Sequence, residues 1–177
     1  MLQIYNAIKD RLKECESKFK VQGLSPVMHI DYDKGQYLRP QDFEIFPMPA
    51  VFYTYNITWQ DRPGKTQLGT ATIDLKIVIP TSSSIAMNSA TLSEAEKVLR
   101  YHLTVHSCIH GLKSPSVSGL RRTQESDDPS PIGLHIHTIS YTCEVTDNST
   151  HLLADYVDAQ VDDLVIQGRI GAKNFQI

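Results

Sequence analysis

The sequence predicts an α+β domain: an antiparallel sheet of four to five strands with two helices packed on one face, plus a projecting hairpin. Three observations predict it. Apolar residues recur three and four apart near the start of the chain and again around residue 100. They alternate strictly with polar residues in three separate stretches between Ala50 and Val145. The order helix, β, ββ hairpin, helix, ββ, tail gives four or five antiparallel strands with two helices laid on one face, an α+β sandwich.

The first helix follows from Tyr5, Ile8, Leu12, Cys15 and Phe19, a single apolar stripe over about five turns, with Lys9, Asp10, Arg11, Lys13 and Glu14 off it. Gly23 and Ser25-Pro26 end it, because proline disfavours helix in the residue before itself. VMHIDYD (Val27–Asp33) alternates Met28, Ile30 and Tyr32 against polar neighbours, which reads as a short half-buried strand. Lys34–Pro49 has no period and reads as a long surface excursion. Ala50–Trp59 puts Val51, Tyr53, Tyr55 and Ile57 on one side of a strand rich in aromatic and β-branched residues.

Pro63-Gly64 supplies a turn, proline presetting one dihedral and glycine the left-handed one. The strand after it turns Ala71, Ile73, Leu75, Ile77 and Ile79 inward and Thr70, Thr72, Asp74 and Lys76 outward. Together these two strands make the projecting hairpin. Thr81–Ala90 reads as a polar linker. The second helix opens on two overlapping capping boxes, Thr91 with Glu94 and Ser93 with Glu96. It continues through Leu92, Ala95, Leu99, Leu103 (or His102), His106 and Ile109, and stops at Gly111. A strand is expected over Val117–Glu125, then a turn at SDDPSP, then a strand in which Ile139, Tyr141, Cys143 and Val145 face the core. One domain is expected over residues 1–150. Residues 151–177 are expected as a C-terminal extension, a candidate inter-subunit arm, in which Val157, Val161, Leu164 and Val165 fit a short helix or VIQGRI instead fits an edge strand.

With 177 residues and 41% hydrophobic content the chain can bury a core. A net charge of −3 gives no electrostatic footprint for DNA or an anionic membrane. Cys15, Cys108 and Cys143 are odd in number and widely spaced, so buried reduced thiols are expected rather than a disulfide framework. The charged N-terminus carries no apolar signal core, and no run approaches the ~18 apolar residues of a spanning helix. The expectation is a soluble intracellular product.

Histidines supply the main chemical candidate. His102, His106 and His110 lie four apart on one stripe of the second helix, and His135 and His137 share a face of the last strand. Two histidines four apart can reach one metal ion. The HExxH arrangement is absent, however, because Leu103, Thr104 and Val105 fill the interval between His102 and His106. No carboxylate or cysteine completes either local cluster. The expectation is therefore no metal, with His102, His106, His135 and His137 as candidates held in reserve. No GxSxG elbow, phosphate-binding glycine run or catalytic cysteine turn occurs, so neither catalytic nor cofactor-binding residues are assigned. Arg121 and Arg122 against Asp127 and Asp128 place opposite charges where two edges of one body could join it to its copies. A solvated acidic turn is the plainer reading of the same residues. Pro63 and Gly64, at the hairpin tip, are further interface candidates.

The element order resembles that of the tail-terminator and tail-completion (neck) proteins of long-tailed bacteriophages over roughly residues 2–146. The likeness rests on the helix IYNAIKDRLKE, the strand PAVFYTYN, the turn and strand ending TATIDLKIVI, the helix EAEKVLRYHLTVHSCIHGL and the segment LRRTQESDDPSPIGLHIHTISYTCEV. Leu120, Arg121, Asp127 and Tyr141 fit the family's late pattern of leucine, arginine, acidic turn and alternating strand. Lys34–Pro49 is longer than that pattern, and nothing after Thr150 matches it. The resemblance implies a structural, non-enzymatic virion protein without cofactor. Such a subunit forms a homo-hexameric ring in the virion neck, assembled in the bacterial host cytoplasm. The ring ends the tail tube and meets a head-completion or connector protein, and DNA is only cargo through its pore. Other neck or tail subunits (stopper, tube, baseplate) and a histidine-dependent metalloenzyme are the alternatives.

Overall fold

A computed structural model describes residues 2–60, 66–81, 92–128 and 133–147. The Pro63-Gly64 turn, most of the polar linker, Thr91 and the 151–177 extension lie outside the described residues. The chain divides into two compact units, Met1–Thr58 with Thr70–Val145, and Trp59–Gly69 with Thr146–Ile177. The first holds the helices and nearly all of the sheet. Of the second, the described residues are the end of one strand, the start of the next, and Thr146 and Asp147.

The expected α+β class is present, as a five-stranded sheet with three helices. The single first helix is in fact two, α1 (Leu2–Glu14) and α2 (Glu16–Val21), broken at Cys15. The buried stripe runs unbroken across the joint through Ile4, Ile8, Leu12, Cys15 and Phe19. Gly23 closes α2 at φ 68 in a Schellman arrangement, with Gly23 N–H donating to Lys20 O at 3.0 Å and Leu24 N–H to Phe19 O at 2.9 Å. The third helix, α3 (Leu92–Ile109), stops at Gly111, whose φ of 77 suits glycine. Arg11 Nε–H donates to Cys108 O at 3.2 Å, tying α1 to α3.

The strands are β1 (His29–Tyr32), β2 (Ala50–Gln60), β3 (Gln67–Pro80), β4 (Arg121–Asp128) and β5 (Leu134–Asp147), in the order β1-β2-β3-β5-β4. The sheet is mixed rather than antiparallel: β1 and β2 run parallel, His29 opposite Ala50 through Tyr32 opposite Tyr53. A parallel pair needs a long crossover. The irregular Lys34–Pro49 excursion supplies it, including a 3₁₀ turn at Pro40–Asp42. The fourth strand also starts later than expected, at Arg121, with Val117 making only isolated bridges to Ser114 and Val145.

One sheet face carries Val51, Tyr53, Ala71, Ile73, Leu75, Ile77, Ile139, Tyr141 and Cys143 against the apolar stripes of all three helices. The helices therefore lie on one face, as expected. The stripe of α3 differs from the expectation. Val98, Tyr101, His102, Val105 and Ile109 are buried, whereas Leu99 and Leu103 are each 62% exposed. A helix covers the sheet with the arc centred on Tyr101, and Leu99 and Leu103 fall outside it. The opposite sheet face holds a second, smaller core of Tyr37, Ala50, Phe52, Val78 and Ile136, with Phe46 packed on it. The three cysteines are buried and free. Burial pushes the Cys108 thiol up to about 12 and the Cys143 thiol to about 11, so both behave as small apolar groups.

Tyr101 offers a direct test of this core. Its ring packs 5.1 Å from that of Phe19, and its buried hydroxyl has no hydrogen-bond partner. A buried unsatisfied hydroxyl is destabilising, so Tyr101→Phe should be neutral or raise stability by up to about 1 kcal/mol. Urea unfolding measures this, and a loss above about 1 kcal/mol would reveal a partner for that oxygen.

Candidate metal centre

Three elements bring four potential ligands together. His102 projects from the sheet-facing arc of α3, one position from Tyr101. His135 and His137 occupy alternate positions of β5 with the same parity as Ile139 and Tyr141, so they share the helix-covered face. Asp127 reaches that face because of a bulge. Arg122 opposes Tyr141 but Gln124 opposes Ser140, leaving Thr123 as the extra residue. The shift puts Asp127 directly opposite His137. Without it Asp127 would oppose Ile136, whose side chain belongs to the core on the other face.

One donor atom from each of His102, Asp127, His135 and His137 lies within 4.8 Å of all the others. The imidazoles are nearly parallel: His102 stacks on His137 at 3.8 Å between centroids and on His135 at 5.1 Å. His102 and His137 are buried, while the Asp127 side chain remains 66% exposed and opens the cluster to solvent. His137 Nδ1 lies 2.7 Å from Asp127 Oδ1. An ionised carboxylate can only accept, so His137 Nδ1–H is the donor in this contact. His135 Nε2 approaches the same oxygen to 3.3 Å, an ion-pair distance without hydrogen-bond geometry. The Nε2 atoms of His102, His135 and His137 are all buried without a hydrogen-bond partner.

Electrostatics match this picture. Burial, helped by the two neighbouring imidazoles, holds His102 down to about 3, and burial likewise lowers His135. Burial alone would raise Asp127, but the His137 hydrogen bond and the neighbouring imidazoles outweigh it and hold the carboxyl below its usual value. A neutral His102 and His135 beside an ionised Asp127 are protonation states that metal ligation requires.

The structure separates the histidines differently from their spacing along the chain. His106, a reserve candidate, is not in the cluster: its Nδ1 lies 3.1 Å from the Tyr141 hydroxyl and its ring 5.0 Å from His110. Asp127 joins instead. The sequence pattern places it in a turn, whereas Ser126, Asp127 and Asp128 continue β4. Extending the expected strand past Glu125 would have placed Asp127 in β4, but the bulge that sets it opposite His137 leaves no mark in the sequence.

The interface candidates also move. Arg121, Arg122, Asp127 and Asp128 lie on the one strand β4, not on two edges of the body. Arg122 pairs with Glu125 at 2.9 Å, and Asp128 accepts the Thr138 hydroxyl at 2.7 Å. Pro63 and Gly64 lie outside the described residues. No helix among the described residues is long and apolar enough to cross a membrane. No protein-family model matches the chain, and the search of curated proteins finds no similar one.

Proposed function

We propose that the chain is a structural subunit of a homo-hexameric ring that ends the tail tube of a tailed bacteriophage or prophage, with the tube protein on one side and a head connector on the other. The observation that carries this reading is the β4 edge. β4 is one of the two edge strands, bonded to β5 on one side, and Arg121–Asp127 are all exposed along it. A long open edge invites pairing with another chain unless it is covered. In a ring each copy covers its neighbour's edge, and head-to-tail contacts close when the rotation per copy is right. The Leu99–Leu103 pair, one turn apart on the outer face of α3, is a second surface suited to burial between copies.

The reading is non-catalytic, and a net charge of −3 suits a pore that DNA crosses without adhering. Another neck or tail subunit would share these features but not the ring end. Native mass spectrometry and negative-stain imaging of the full chain, alone and with tail tubes, test the proposal. Six copies of the 19.9 kDa chain give a ring of about 119 kDa. A strict monomer at high concentration that also leaves tube length unchanged would refute it.

A further inference from the structure

We propose that His102, His135, His137 and Asp127 form a binding site for one divalent transition-metal ion of the zinc class, fastening α3 to the β4–β5 pair. The inference does not depend on the ring reading.

Three observations carry it. The first is the orphaned nitrogens. The Nε2 atoms of His102 and His135 sit buried without a hydrogen-bond partner on residues whose donor atoms cluster with those of His137 and Asp127, and each unsatisfied group is a standing cost. A cation held by the cluster would answer that cost. The second is the donor chemistry. Three imidazoles and one carboxylate suit zinc, cobalt and nickel, whereas magnesium and calcium prefer all-oxygen sets. The third is preorganisation. His137 Nδ1 already lies 2.7 Å from Asp127 Oδ1 and His135 Nε2 3.3 Å from the same oxygen, so a cation that displaces the proton between His137 and Asp127 meets three converged donors.

Distances set what binding must do. Zinc–nitrogen bonds near 2.0–2.1 Å in a tetrahedron put ligand atoms about 3.4 Å apart. Donors now within 4.8 Å must therefore close by up to about 1.4 Å. Near-parallel rings also point their lone pairs along parallel planes, so the imidazoles must turn about their side-chain bonds. Exposed Asp127 gives the ion its way in. Four protein donors fill a tetrahedron, which is the pattern of a structural site, whereas a catalytic zinc keeps one position open.

The test uses the untagged full chain, stripped with chelator and titrated with zinc, cobalt, magnesium and calcium by calorimetry. The expected result is one zinc per chain with Kd below about 1 µM, no response to magnesium or calcium, and a tetrahedral cobalt spectrum. His102→Asn and His137→Asn should each weaken zinc at least about 100-fold, and His106→Asn and His29→Asn should bind as the parent does. His135→Asn and Asp127→Ala, at the open rim, decide the matter if the buried variants fail to fold. No binding tighter than about 50 µM would overturn the proposal, as would zinc retained in the rim variants or lost in His106→Asn.

Discussion

Phe52→Ala should lower the free energy of unfolding by about 4 kcal/mol, within the usual span for emptying a buried phenylalanine site. Phe52 is fully buried, but in the smaller core, whose other buried members are Tyr37, Ala50, Val78 and Ile136. Its ring meets Phe46 edge-on at 5.1 Å, Tyr37 at 5.3 Å and His29 at 5.8 Å. Tyr37 and Phe46 belong to the crossover that makes β1 and β2 parallel. Removing the ring therefore takes away the apolar contact that holds this crossover to the sheet, and few neighbours can collapse into the space. A domain stable by ~5–15 kcal/mol would lose a large share of that margin. Denaturant unfolding gives the loss, and hydrogen exchange should show amides of residues 33–49 opening first. A loss below about 1.5 kcal/mol, with those amides still protected, would mean that other contacts hold the crossover.

Lys76→Met should cost about 3 kcal/mol, the scale for removing one partner of a buried ion pair. Lys76 Nζ lies 3.0 Å from Asp33 Oδ2, with the Asp33 side chain 8% exposed and that of Lys76 29% exposed. The Tyr37 hydroxyl bridges them, accepting from Lys76 at 3.1 Å and donating to Asp33 at 3.2 Å. Gly35 N–H caps the other carboxylate oxygen at 2.9 Å. Burial by itself would lower the Lys76 pKa, yet its bonds to Tyr37 and Asp33 outweigh it and raise the ammonium's pKa. Methionine keeps the volume but leaves the carboxylate without its cation. The double variant Lys76→Met, Asp33→Asn should recover part of the loss, because no buried charge is then stranded. Equal unfolding midpoints for parent and Lys76→Met would show the pair to be solvated and energetically idle.

Both experiments concern a segment that the hydropathy pattern describes poorly. Lys34–Pro49 has no period, since its apolar residues serve a crossover rather than a face, and only their convergence on Phe52 gives them meaning. The inward residues of β3 and β5 were legible, because alternation against one helix layer is a local property. Lys76 was legible only as outward-facing; that outward there means toward a second core depends on the parallel β1–β2 pairing.

Hydrophobic period alone was enough for the α+β class, the helix-covered sheet face and the placing of His135 and His137 on it, because side-chain direction repeats every two residues in a strand and about every 3.6 in a helix. Strand order, the direction of β1, the arc of α3 that turns Leu99 outward, and the meeting of Asp127 with three imidazoles arose only when the chain was packed. Each of these depends on pairings between residues far apart in the chain, and a single extra residue at Thr123 decides which face Asp127 takes.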